Sequence, residues 1–140
     1  TTCRKPPFWA IRSACCTAGG WARRWRWPSR ARAVLTGAMI DRTRAILAEL
    51  AAAWDGSLLE CNGETDHVHA LLDMPPRARP SDLVNNLKTV TSRRLRSEFP
   101  SLVSSYRKPV LWSPSYCIIS AGGAPIEILK QYVENQKRPT

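Results

Sequence analysis

The sequence predicts an α+β fold, an antiparallel sheet with helices on one face, and three observations predict it. Residues 40–54 and 81–99 carry apolar side chains at helical spacing, short apolar runs of strand type lie at 57–61, 67–73 and 111–120, and a last helical stretch follows Pro125. The resulting order of helix, strand, strand, helix, strand, helix is that of a ferredoxin-like or RRM-like split βαβ sandwich without its opening strand. At 140 residues the chain is long enough for one such core and too short for two ordinary domains.

Residues 1–33 mix Pro, Gly, Cys and Arg with four of the six tryptophans (Trp9, Trp21, Trp25, Trp27) and sustain neither period 2 nor period 3.6. This segment reads as atypical, frame-shifted or disordered, ahead of a domain spanning 34–140, and the missing strand has to come from it. In residues 40–54, Ile40, Ala45, Ile46, Leu47, Leu50 and Ala53 set a helical rhythm that Asp55-Gly56 stops. Residues 57–61 and 67–73 read as antiparallel strands joined by the turn 62–66, and Pro75-Pro76 ends the second. Ser81 or Asp82 is placed to cap the next helix, which runs to about Phe99. Leu83, Val84, Leu87, Val90 and Thr91 form its core side, with Asn85, Asn86, Thr89, Arg93 and Arg96 opposite. Residues 111–120 read as a strand interrupted near Ser113-Pro114, Gly122-Gly123 as a flexible joint, and Pro125 as the first turn of a helix reaching about Gln136.

The net charge of +10 invites a nucleic-acid reading, but residues 1–34 hold eight Arg/Lys and no acid, whereas the rest holds thirteen against eleven. The more informative concentration is Arg77, Arg79, Lys88, Arg93, Arg94, Arg96, Arg107 and Lys108 against Asp82 and Glu98, a stretch that suits either phosphates or a solvated face. The five cysteines include an adjacent pair and no Cys-x-x-Cys, which argues against a disulfide framework or zinc ribbon and for reduced thiols. No apolar run approaches the ~20 residues that span a bilayer, and the start is unlike a cleavable leader, so a soluble cytoplasmic protein with no membrane partner is expected.

Both histidines lie in Asp66-His67-Val68-His69, where alternate strand positions bring two imidazoles to one face. They suit a metal ion if a third ligand exists; the other reading is a solvent-facing pair on a half-buried strand. Tyr132 and Gln136, at i and i+4 of the last helix, share a face and offer a nucleophilic phenol and a carbonyl ligand, or an ordinary packing residue and a solvated amide. A zinc site from His67, His69 and Cys61 is a third reading, without the paired-cysteine spacing that would strengthen it.

Four stretches now stand together: residues 65–72 around the histidines, Leu83-Val84-Asn85-Asn86-Leu87-Lys88 through Ser92-Arg93-Arg94-Leu95-Arg96, Leu111-Trp112-Ser113-Pro114-Ser115-Tyr116, and Gly122-Gly123-Ala124-Pro125 through Gln131-Tyr132-Val133-Glu134-Asn135-Gln136. In order and spacing, over about residues 33–139, they resemble the TnpA-type HUH single-tyrosine transposases of small bacterial insertion sequences. The resemblance implies cleavage and rejoining of single-stranded DNA through a 5′-phosphotyrosine on Tyr132. It also implies Mg²⁺ or Mn²⁺ held by His67, His69 and Gln136, hairpin-ended DNA met by Asn85, Lys88, Arg93 and Arg96, and a homodimer with active sites shared between subunits. The pattern departs from the family at residues 21–30, where an apolar strand is expected and Arg residues and Pro28 stand instead. A catalytically inactive nucleic-acid-binding relic and a domesticated relative acting on repetitive DNA hairpins are the alternatives.

Overall fold

The structure is a computed structural model that describes residues 8–14, 34–105, 110–114, 116–120 and 126–135; for 8–14, 117, 119, 120, 126, 129, 132 and 133 it describes the backbone. Its elements are β1 (Phe8–Ala14), α1 (Gly37–Ala53), β2 (Ser57–Gly63), β3 (His67–Asp73), α2 (Pro80–Glu98), α3 (Pro100–Ser105), β4 (Tyr116–Ser120) and α4 (Ile126–Glu134). The four strands form one sheet in the order β2-β3-β1-β4. Every neighbouring pair is antiparallel. This is the α+β split βαβ arrangement read from the sequence, now with its opening strand: Phe8–Ala14 lies between β3 and β4. The stretch at 21–30, the Gly122-Gly123 joint, Pro125 and Gln136 lie outside the described residues.

α1 begins at Thr36, whose hydroxyl accepts from the Met39 amide at 3.4 Å. It ends in a Schellman turn: the Gly56 amide donates to the Ala51 carbonyl at 2.8 Å and the Asp55 amide to that of Ala52 at 3.0 Å. Asp55 takes the left-handed conformation (φ 58°), and the turn delivers the chain directly into β2. α2 starts with Arg79 at the cap position and Pro80 in the first turn, without a side-chain cap, so the Ser81 or Asp82 cap expected from the sequence is replaced by the pre-set backbone of proline. Asp82 still sits in the first turn, where a carboxylate complements the helix dipole.

The core lies between one face of the sheet and the pair α1 and α2. Val68, Ala70 and Leu72 of β3 meet Met39, Ile40, Leu47 and Ala51 of α1 and Leu83, Val84, Leu87 and Leu95 of α2 in one buried cluster. Two ion pairs bind the outer sides of these helices, Arg42 to Glu98 at 2.6 Å and Arg94 to Glu49 at 2.5 Å. Hydrogen bonds from Arg42 and Arg94 hold the Glu98 and Glu49 carboxyls below the ordinary carboxylate range. The interrupted strand expected at 111–120 is shorter, because Leu111 and Trp112 leave the ladder and bury themselves in the core before β4 starts at Tyr116. The Trp112 indole N–H donates to the Thr91 hydroxyl at 2.8 Å, the partner a buried indole requires. Among the described residues, no helix is long and apolar enough to cross a membrane.

Candidate active site on the histidine strand

The pleat of β3 divides its side chains by parity. Val68, Ala70 and Leu72 enter the core cluster, so His67, His69 and Leu71 point to the opposite face. Both histidines are nevertheless only 8% exposed, which rules out the solvent-facing pair. Their rings meet edge to face, with centroids 4.8 Å apart and planes at 80°. The Nδ1 atom of His67 lies 2.6 Å from the Asp66 Oδ1.

The turn before β3 is closed tightly. The Glu64 amide donates to the His67 carbonyl at 2.9 Å, and the amides of Val34 and Leu35 both donate to the Thr65 carbonyl at 2.9 Å, bracing the turn against the approach to α1. Gly63 makes this closure possible: a Cβ there would stand 2.3 Å from the His67 carbonyl oxygen. Ligand atoms of Glu64, Asp66 and His67 all lie within 4.8 Å of one another. Sequence reasoning had not singled out Glu64 or Asp66 as site residues; the signal was a carboxylate immediately before the first histidine of a buried pair.

α4 packs against β2 and β3. Asn62 faces His69 across the β2–β3 ladder, and cross-strand partners share a face of the sheet. The Asn62 Nδ2 donates to the Glu134 carbonyl at 3.2 Å, occupying one of the carbonyls a helix leaves open at its C-terminal end. The last turn of α4 therefore rests on the histidine side, and the helix backbone carries Tyr132 there within the same chain. Gln136 falls two residues past the end of α4, outside the described residues.

Cys61 does not join the histidines. It is paired with Ala70 and belongs to the core cluster on the other face, where burial pushes its thiol up to about 12. A cavity of about 40 Å³ between α1, α2 and the sheet, lined by Leu47, Val68, Ala70, Val84 and Leu87 among others, also opens on the core face and takes no part in the site.

The four residues expected on the polar face of α2 are distributed as follows. Asn85 and Arg93 are exposed, and Lys88 and Arg96 are half-buried. The Lys88 ammonium donates to the carbonyls of Ser113 at 2.6 Å and Pro114 at 3.3 Å and lies 4.9 Å from the centre of the Tyr116 ring. Burial lowers the pKa of its ammonium from the ordinary lysine value. Lys88 thus ties α2 to the segment entering β4, while Asn85 and Arg93 present their side chains outward.

Chemically, the histidine face joins two buried imidazoles, a carboxylate on one ring nitrogen and a second carboxylate nearby. Two buried imidazoles, that of His67 oriented by a carboxylate, fit a divalent cation, since neutral imidazole is a good ligand and the acids add the negative potential a cation needs.

Residues 25–136 match the family model described as "Transposase IS200 like". The ISDra2 transposase TnpA of Deinococcus radiodurans is 32% identical over 103 residues, 74% of this chain and 74% of that protein. The transposase for insertion sequence element IS200 of Salmonella typhimurium is 29% identical over 92 residues, 66% of this chain and 60% of its own length. Among solved structures, a crystal structure of a candidate transposase from Deinococcus radiodurans R1 superposes with a TM-score of 0.64 at 26% identity, covering 94% of this chain and 91% of the other.

Proposed function

The chain belongs to the IS200-like transposase family of DNA-processing enzymes, and from that premise we propose that it cleaves and rejoins single-stranded DNA through a 5′-phosphotyrosine formed on Tyr132. What supports this reading is the meeting of two elements on one face of the sheet: the buried histidine pair of β3 and the last turn of α4, joined through Asn62 and Glu134.

In the proposed reaction the Tyr132 phenol gives up its proton and its oxygen attacks the scissile phosphorus in line. The bond to the 3′ oxygen breaks, and that oxygen leaves as a 3′-hydroxyl after taking up a proton. Attack by a 3′-hydroxyl on the phosphotyrosine reverses the step and joins a new pair of ends, so the bond energy is conserved and neither water nor a nucleotide is consumed. His67, His69 and Gln136 would hold Mg²⁺ or Mn²⁺, which when bound draws charge from the phosphate and stabilises the leaving oxygen. The residues of the turn and β3 keep the imidazoles fixed and shielded from bulk water, so that they need no rearrangement when the phosphate arrives.

The substrate in this reading is single-stranded DNA with hairpin ends. Asn85, Arg93 and Arg96 contact it along α2, and Lys88 contributes by anchoring the segment that leads to the exposed Tyr116 at the start of β4. The protein acts as a homodimer in the cytoplasm; sharing of sites between subunits requires α4 to exchange its contact with its own Asn62 for the same contact on the partner. Residues 1–24, which precede the family match, form a replaced opening segment, from which Phe8–Ala14 supplies the central strand.

Incubation with a labelled single-stranded element end and Mg²⁺ or Mn²⁺, followed by denaturing electrophoresis, tests the proposal. A denaturant-resistant adduct that Tyr132→Phe abolishes is expected. Metal-independent retention of the DNA by folded protein, with no adduct at any time point, would replace the proposal with a binding role.

A further inference from the structure

Resting on the proposed role of His67 as a cation ligand, we infer that Asp66 is a positioning residue that locks the His67 imidazole with its proton on Nδ1 and its lone pair on Nε2. An ionised carboxylate can only accept a hydrogen bond, so the Asp66 oxygen at 2.6 Å from Nδ1 requires that nitrogen to be the donor. In a neutral imidazole the second nitrogen is then bare, which is the form a cation binds. The bond also fixes the plane of the ring, and with it the direction of the lone pair.

The surroundings make this more than a chance contact between chain neighbours. The side chains of His67 and Asp66 are 10% and 28% exposed, so water competes weakly for the bond. Asp66 is not on a loose loop: the residue before it is held by two amides from Val34 and Leu35, and the His67 carbonyl after it is held by Glu64. The missing side chain of Gly63 lets this turn press against the His67 backbone. The other side of the pair is set by the His69 ring, edge to face at 80°. Backbone, carboxylate and neighbouring ring thus act on the same imidazole, and Asp66 is the member that selects between its two nitrogens.

The test is nitrogen-15 NMR of the two histidines in the metal-free protein, with Mn²⁺ titration of the same samples. The wild-type chain is expected to show His67 as the Nδ1–H form. Asp66→Ala should release it to a tautomer mixture and weaken Mn²⁺ binding by about 10–100-fold, the range for loss of a carboxylate behind a ligating histidine. Asp66→Asn, which keeps an oxygen acceptor at the same place, should retain the Nδ1–H form and most of the Mn²⁺ affinity; an unfolded alanine variant therefore leaves the question answerable. An Nε2–H form in the wild-type chain, or an unchanged tautomer in Asp66→Ala, overturns the inference. Failure of the wild-type chain to bind Mn²⁺ overturns the cation reading of the histidines instead, and the tautomer comparison then decides the role of Asp66 by itself.

Discussion

β1 and β3 lie side by side for their full length, from Phe8 opposite Asp73 to Ala14 opposite His67, yet they come from very different sequence. β3 lies inside the family match and carries its histidines; β1 lies before residue 25, where that match begins. The pairing teaches what each position in the sheet demands. A central strand asks for backbone donors and acceptors at every residue and for side chains that tolerate an extended chain, and Phe-Trp-Ala-Ile-Arg-Ser-Ala, free of Pro and Gly, meets that requirement. The neighbouring strand must also place particular side chains at alternate positions, and only a specific sequence does so.

The comparison breaks most severely at Ile11, which pairs with Ala70 on one side and Ile118 on the other. Ile11→Pro removes a ladder donor from the middle of the sheet, where proline is essentially excluded, and should abolish the cooperative thermal transition seen by circular dichroism. A variant melting like the wild type would show that β1 is not a central strand. On β3 the two faces should separate. His69→Ala is expected to lower DNA cleavage by on the order of 10³-fold, the scale for losing preorganised electrostatic stabilisation, while the melting temperature moves by a few degrees at most. Leu72→Ala, at a position with no exposure in the core cluster, should do the reverse: about 2–5 kcal/mol of stability is lost in denaturant titrations, with cleavage by the remaining folded protein little changed.

The smallest effect sharpens the picture of α2. Lys88→Met keeps the unbranched stem of the side chain but removes the donor to the Ser113 and Pro114 carbonyls, so a loss of about 1 kcal/mol is expected. Because that ammonium is committed within the protein, the salt dependence of DNA binding should change less for Lys88→Met than for Arg93→Ala, which removes an exposed charge. Equal loss of slope in the two variants would assign Lys88 to the phosphates directly.

Most of the fold was legible because its signals were local. The bounds of β3 coincide with the short apolar run at 67–73, and the Asp55-Gly56 stop became the Schellman turn that ends α1. The opening strand was not legible, since a seven-residue strand with both neighbours distant in sequence leaves no period long enough to stand out from the mixed composition around it. α3 was missed for a similar reason: six residues after Pro100 make little more than one turn. Leu111 and Trp112 carry strand-forming side chains, but Ser92 and Thr91 draw them into the core, with the Leu111 amide bound to the Ser92 hydroxyl at 3.2 Å. At the site, the facing of His67 and His69 followed from strand geometry, whereas their burial and the bond from His67 to Asp66 depend on how the turn folds back and on where α4 rests.

The central claim is that the covalent chemistry belongs to the helix resting on the histidine strand. It is tested most directly by trapping the protein on a single-stranded element end, digesting both partners and locating the nucleotide by mass spectrometry. The account predicts a nucleotide joined through its 5′-phosphate to Tyr132, on the peptide that follows Lys130. A nucleotide on Tyr106 or Tyr116, or linked to any residue through its 3′ side, would contradict it.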